Sequence, residues 1–427
     1  MANLRKKGRI TSLLLAGVMI FSLLLSLTGC FEGNESVIVN TEINELGELI
    51  VYYSDGTTHN AGIIENNETN IHIDGGNNTV SVATAKGLMS AVSITSNFVS
   101  KTQSYIPGFG IVGGSGNKYY SRGSGVIYRI NGDEALIITN HHVVYDSGSS
   151  SKDGISTDIE LYLYGREASQ YAISAEYVGG SEYYDIAVLY AKDAAFKSSA
   201  VAAASVSFDG VSVGQNAIAV GNPQGYGISA SSGIVSVESE YISTGSVSSS
   251  TRVIRVDTAV NAGNSGGGLY NCSGDLIGIV NAKIVDESVE GIGYAIPSSV
   301  AIGVCDNIIR NCLGNDNKYV KRAMLGITLN SSDSCAVVNE KGEIEIVETV
   351  FVSAVERGSI SDGVVSKGDI LMSATLGERT VEITRTYHII DLMLYASVGD
   401  EIALTINRGG EILTKTVKIT DRAISNY

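Results

Sequence analysis

The sequence predicts a mainly β protein divided into parts. Three observations carry this. At 427 residues the chain is too long for one small core and implies two or three domains. Its 49 glycines punctuate short runs rich in Val, Ile, Ser and Tyr, the pattern of strands and tight turns rather than helices. The character of the chain also shifts along its length, from an apolar leader to a hairpin-like stretch, a glycine-rich middle and a strand-rich C-terminal region.

Residues 1–29 read as a targeting segment and are kept out of the fold. Arg5, Lys6, Lys7 and Arg9 form a basic start, and residues 10–27 are an almost unbroken apolar run. The run ends in Leu27-Thr28-Gly29-Cys30, which resembles the bacterial lipobox. That resemblance implies a lipoprotein signal peptide, with Cys30 lipidated and becoming the new N-terminus. An uncleaved membrane anchor is the alternative, since the run is nearly long enough to span. Either reading puts the protein outside the cytoplasmic membrane, held to the cell surface.

Residues 30–85 read as a small β-hairpin module or linker. Leu46 to Tyr53 is strand-like and is broken by Ser54-Asp55-Gly56, a hairpin signal. Asn70-Ile71-His72-Ile73 and Thr79-Val80-Ser81-Val82 suggest a second hairpin around Asp74 to Asn78. His59 and His72 are expected to be structural or surface residues rather than ligands.

Residues 86–315 carry the chemistry. Ala135 to Val144 is an apolar strand running into Asn140-His141-His142. Asp185 opens a second apolar strand, Ile186-Ala187-Val188-Leu189. Ser265 lies in Gly263-Asn264-Ser265-Gly266-Gly267. A glycine-flanked serine alone is often just a tight loop. Here it follows a histidine at a strand end and an aspartate at a strand start, in the order His, Asp, Ser. A serine hydroxyl is a weak nucleophile at neutral pH, and a histidine within reach can take its proton. A buried aspartate fixes the imidazole tautomer and stabilises the imidazolium. Gly263, Asn264 and Ser265 form the expected oxyanion hole, with the Gly263 and Ser265 N–H groups as its natural donors. Further on, Pro297-Ser298-Ser299 precedes apolar residues at helical spacing, with a serine cap expected at its start and Gly314 as its stop.

These stretches together resemble the HtrA (DegP-like) family of trypsin-like serine proteases. The family pattern T-N-x-H-V is matched by Thr139 to Val143, which selects His142 over His141. The D-I-A-L-L pattern is matched from Asp185, and N-x-G-N-S-G-G from Asn261 to Gly267. Gly221-Asn222-Pro223-Gln224-Gly225, Ser232 to Val235 and Gly291 to Pro297 fit two further family stretches. The resemblance implies a chymotrypsin-like double β-barrel and a catalytic set of His142, Asp185 and Ser265, without cofactor or metal. Gly268 stands where the family has Pro or Ala, and is expected to loosen the turn without touching a catalytic group. The glycine-rich stretch from Tyr105 to Tyr120 falls where the family has a regulatory loop.

Residues 316–427 resemble a PDZ domain as it occurs behind HtrA-type proteases. Leu325-Gly326-Ile327 would hold a peptide's terminal carboxylate. The peptide would add as a strand beside it, against an apolar helix over Tyr387 to Tyr395. The family's trimers, built on protease domains, are carried over as an expectation.

In trypsin-like enzymes a carboxylate six residues before the serine selects Arg or Lys. That position is Ala259, so small or medium apolar residues are expected in the primary pocket. Lys283 could bias preference if it faces the cleft; a solvated position is the plainer expectation. The net charge of −16 argues against nucleic acid as a partner. The absence of a C-x-x-C pair gives little support to a zinc site. Cys305 and Cys312, two helical turns apart, lie about 10 Å from each other, too far for a disulfide; other pairings of Cys272, Cys305, Cys312 and Cys335 stay open. The expected partners are unfolded or misfolded exported polypeptides and, at the PDZ domain, peptide C-termini. Two alternatives remain: a non-catalytic chaperone or peptide-binding protein on a protease scaffold, and a signalling protease with one dedicated target.

Overall fold

The computed structural model describes residues 38–43, 48–53, 58–63, 79–101, 103–106, 110–113, 116–151, 153–243, 250–282, 291–339 and 342–427. The leader with Cys30, Asn70 to Ile73 and Lys283 lie outside them. Among the described residues no helix is long and apolar enough to cross a membrane.

The chain divides at Asn77/Asn78. In the first unit, Ile38–Ile43, Glu48–Tyr53 and Thr58–Ile63 form an antiparallel sheet in chain order. The expected second hairpin is corrected: Thr79 to Val82 open an α-helix, Thr79–Ser90. The alternation of Val80 and Val82 suggests a strand, but Ala83 and Gly87 are four residues apart and share a helix face. Ala83 is fully buried, and a Cβ at Gly87 would lie 2.9 Å from Val220 and 3.1 Å from the Tyr270 ring. Small residues let this helix lie close against the second barrel, and that packing overrides the local pattern. The helix belongs to the second unit, which begins at Asn78.

Two closed barrels of six strands follow. The first has the order Ile173–Ser181, Ile186–Lys192, Glu134–Thr139, Lys118–Asn131, Ala91–Val99, Asp158–Leu163. Strand residues alternate in and out, so Val92, Ile94, Ile127, Ile137, Leu161 and Leu189 fill its centre. The second has the order Asn216–Gly221, Ser229–Ser243, Ser250–Val256, Gly293–Pro297, Leu276–Val280, Gly268–Tyr270. A third apolar cluster packs the barrels and the helix Ser298–Cys312 together through Val126, Ile138, Val188, Ile218, Ile296 and Val304. Part of the glycine-rich stretch is a two-stranded ribbon of Gln103–Ile106 and Gly110–Gly113.

Two local expectations change. Ser298 is the first helical residue and does not cap the helix; its hydroxyl donates to Ser207 O at 2.7 Å. Gly268 opens a strand, and a Cβ there would lie 2.4 Å from the fully buried Tyr270 ring. It therefore accommodates a ring folded over it rather than loosening a turn. The cysteine pairings left open by the sequence do not form: Cys272, Cys305, Cys312 and Cys335 are all free thiols, and Cys305 and Cys312 are buried.

From Lys321 onward a six-stranded antiparallel sheet runs in the order Ile327–Val338, Ile344–Val355, Ile370–Leu376, Glu401–Arg408, Glu411–Lys418, with Arg379–Glu382 paired beside Ile370–Leu376. The helix Thr386–Leu392 lies over its core of Val350, Val352, Leu371, Leu404 and Ile406. Polar contacts hold this part against the barrels. Asn307 donates to Lys321 O at 2.7 Å and Leu394 O at 2.8 Å. Arg252 pairs with Asp391, which also accepts from Ser299 Oγ at 2.9 Å. Arg385 meets Glu238 at 2.6 Å.

His388, on the same helix, makes acid stability predictable. Burial, then the nearby Arg252 charge, lowers its pKa from 6.5 to about 4. Its Nδ1 accepts from the Thr384 N–H at 3.3 Å, which suits the neutral ring. As pH falls below 6.5 the unfolded chain takes up this proton first. Stability present above 6.5 is therefore lost progressively down to about 4, by up to about 3 kcal/mol. Urea unfolding at pH 7 and pH 4.5 checks this: His388→Gln should lose clearly less stability than the parent over that step. Equal losses would remove His388 as the cause.

Candidate active site

Strand Glu134–Thr139 ends where the barrels meet, and the chain turns into a one-turn helix, His141–Val144. Successive helix residues point about 100° apart, so the two histidines diverge. His141 packs its ring 4.8 Å from Tyr145 and edge-on to Tyr177. His142 faces Asp185. Its Nδ1 lies 2.7 Å from Asp185 Oδ2, and its backbone N–H donates to Oδ1 at 2.9 Å. The expected strand end is thus a helical turn, although the histidine selected is the one that meets the acid.

Asp185 precedes strand Ile186–Lys192 with φ at 51°, left-handed backbone that only a few residue types tolerate. Asn140 Nδ2 donates to its carbonyl at 2.9 Å and holds that conformation. Asn281 Nδ2 donates to Oδ2 at 2.8 Å. Burial alone would raise the Asp185 carboxyl. The His142 charge and the hydrogen bonds from His142 outweigh it and hold the pKa below the usual value. The carboxylate accordingly keeps its charge and fixes the proton of the imidazole on Nδ1.

Ser265 projects from the loop of residues 261–267. Its Oγ accepts from the Ala282 N–H at 3.1 Å and, among the described residues, makes no hydrogen bond to His142. Asn264 N–H donates to Asn261 O at 3.0 Å, so Asn264 is not an oxyanion donor. The Gly263 and Ser265 N–H groups have no protein acceptor among the described residues. Gly266 N–H and Val280 N–H tie the loop to strand Leu276–Val280 at 2.9 and 2.8 Å. Ala259 is exposed, its carbonyl accepting from Ser231 Oγ at 3.0 Å. It places no charge there.

Leu325, Gly326 and Ile327 lie elsewhere, at a groove of about 560 Å³ where the C-terminal sheet meets the barrels. Ile389 and Met393 form one side, and Tyr241 and Arg252 of the second barrel reach its wall. Gly326 has φ at 71°, and a Cβ there would sit 2.2 Å from Ser359.

Two site residues escape a reading of the motifs: Ser124 and Asn281. Ser124 sits among the small residues Gly123-Ser124-Gly125, a cue to close approach of backbone. Asn140 is the second position of the T-N-x-H-V match, and its role, the bond to the Asp185 carbonyl, comes from the structure. Nothing local singles out Asn281.

Comparison with known proteins gives the family and the fold. Residues 123–279 match the family model described as the trypsin-like peptidase domain. A Serine protease Do-like HtrA of Lactococcus lactis subsp. cremoris is 30% identical, over 97% of this chain and 96% of its own. This chain belongs to the HtrA family of serine proteases. Like other members it is a serine endopeptidase, and the two barrels are the trypsin-like fold. The periplasmic pH-dependent serine endoprotease DegQ of Escherichia coli is 34% identical over 59% of this chain and half of its own. The solved structure of the HtrA-type protease AlgW with a decapeptide has the same fold, with a TM-score of 0.50 at 23% identity, over 82% of this chain and 98% of its own.

Proposed function

We propose that this HtrA-type protease hydrolyses unfolded or misfolded exported polypeptides through His142, Asp185 and Ser265. The observation that carries this reading is the His142–Asp185 pair at 2.7 Å, a buried acid that holds its charge, beside the glycine-flanked Ser265. Ser265 Oγ turns from Ala282 N–H to His142, whose unprotonated Nε2 takes the hydroxyl proton as the oxygen attacks the scissile carbonyl. The oxyanion settles on the Gly263 and Ser265 N–H groups. His142 then passes its proton to the leaving amine, and water releases the acyl group by the reverse sequence.

In this reading residues 316–427 are a PDZ domain. Peptide C-termini enter the groove at Leu325, Gly326 and Ile327 and pair with the edge strand Ile327–Val338. Ala259 favours small or medium apolar residues before the scissile bond. The lipobox-like leader supports export and anchoring at Cys30, and the family resemblance supports a homotrimer. That DegQ is named periplasmic supports a site of action outside the cytoplasmic membrane.

A fluorophosphonate followed by mass mapping tests the core of this reading. The label should fall on Ser265, and Ser265→Ala should leave casein intact while still binding it. Label on another residue, or hydrolysis by Ser265→Ala at the parent rate, would remove the assignment. Binding without hydrolysis by the parent protein would favour the non-catalytic chaperone.

A further inference from the structure

Ser124 lies on the first barrel, in strand Lys118–Asn131, and is fully buried. All its polar groups are engaged where the barrels meet. Its Oγ donates to Gly263 O at 2.7 Å and accepts the Asn222 N–H at 2.8 Å. Its N–H donates to Ser265 O at 2.8 Å, and its carbonyl accepts from Thr139 Oγ1 at 2.7 Å. One oxygen thereby joins the 222 corner to the nucleophile loop.

Gly263 gives this contact its consequence. With φ at 96° and no side chain, Gly263 has soft backbone angles. Its carbonyl and its N–H lie on opposite sides of the same Cα. The Ser124 hydroxyl fixes the carbonyl, and the turn from Asn264 N–H to Asn261 O fixes the far end of that peptide. Rotation about Gly263 would turn its N–H away from the cleft at little local cost. The bond from Ser124, reaching from a different barrel, holds the Gly263–Asn264 peptide as the fixed frame against which the Ala262–Gly263 peptide and its N–H are set.

We propose that Ser124 is a positioning residue that keeps the Gly263 N–H aimed at the oxyanion. The inference rests on the catalytic reading above. Its effect falls on the transition state, where the oxyanion exists, and not on ground-state peptide binding.

Ser124→Ala tests it, first with labelling of Ser265 in the parent protein to establish the reading itself. In the variant kcat should fall roughly 10- to 100-fold with KM changed less than about twofold. A peptide aldehyde, whose hemiacetal oxygen occupies the oxyanion position, should lose affinity in parallel, while the matching product peptide binds as before. Ser124→Cys, a weaker donor, gives the same comparison with smaller losses if the alanine variant does not fold. An unchanged kcat overturns the proposal, as does equal loss of aldehyde and product affinity, which would mean general loosening. A parent protein that takes no label at Ser265 overturns the catalytic reading, and this inference with it.

Discussion

Replacing His142 by alanine should lower kcat by about 10⁶-fold, whereas replacing His141 should leave most of the activity. The imidazole of His142 shares its Nδ1 proton with Asp185 at 2.7 Å, whereas the acid's other side-chain donor, Asn281, is an amide that cannot take up a proton. His141 is turned into an aromatic pocket with Tyr145 and Tyr177. Its loss should act on stability, by about 2 kcal/mol, as for a buried side chain removed from packed neighbours. Asp185→Asn should cost about 10⁴-fold, because an amide no longer imposes the required tautomer. Since Asp185 is held below the ordinary carboxylate pKa, it stays charged well into the acid range. Lost activity on mild acidification should therefore not trace to Asp185. Turnover of a chromogenic peptide and the thermal midpoint, measured for each variant, separate the two roles. Abolished turnover in His141→Ala, with full activity in His142→Ala, would shift the register by one residue.

Much of this site is legible in the sequence because its chemistry restricts residue type. A nucleophile loop with closely approached backbone demands glycines, and a proton relay demands His and Asp at element ends. Strand geometry is not what separates His142 from His141. The sequence suggests a strand through both histidines, where neighbours would face opposite ways. The structure has them on a helical turn, where they diverge by a different angle. The T-N-x-H-V pattern alone carries that choice.

What stays hidden depends on groups far apart in the chain. Asn281 meets Asp185 across 96 positions and Ser124 meets Gly263 across 139, and no local pattern marks either pair. The helix Thr79–Ser90 reads as a strand because Val80 and Val82 alternate, while the deciding contact is the fit of Gly87 against Val220 and Tyr270. Gly268 is needed by a near neighbour, Tyr270, but what turns that ring back over it is distant: burial and a 2.8 Å bond to Ser90, 180 positions away. The C-terminal sheet is foreseeable from its strand-rich pattern. Its attachment through Arg252, Asp391 and Asn307 is not, because ion pairs and side-chain amides leave no periodic trace.

Gly266→Ala should be strongly disruptive for a single added methyl. The backbone there has φ at 85°, which costs an L-residue about 1–2 kcal/mol. Steric overlap costs more. A Cβ would stand 2.2 Å from Ser124 O, 2.3 Å from Thr139 Oγ1 and 3.0 Å from Asn140 N. Ser124 O and Asn140 N are backbone atoms on the side of the first barrel, so rotating the Thr139 side chain alone would not relieve the overlap. Relief requires moving the nucleophile loop off the barrel that carries His142. The bond from Ser124 N–H to Ser265 O would stretch with it. Destabilisation above about 4 kcal/mol is expected, with labelling of Ser265 slowed at least about 10³-fold. Gly214→Ala is the control: its φ is 87°, but nothing stands within 4 Å of the added methyl, so it should cost only about 1–2 kcal/mol. Denaturant unfolding of the two variants isolates the steric part, since both bear the same backbone strain. Were they to unfold alike and Gly266→Ala to label at the parent rate, the loop could not be seated against Ser124 and Thr139, and the oxyanion hole built on that seating would go with it.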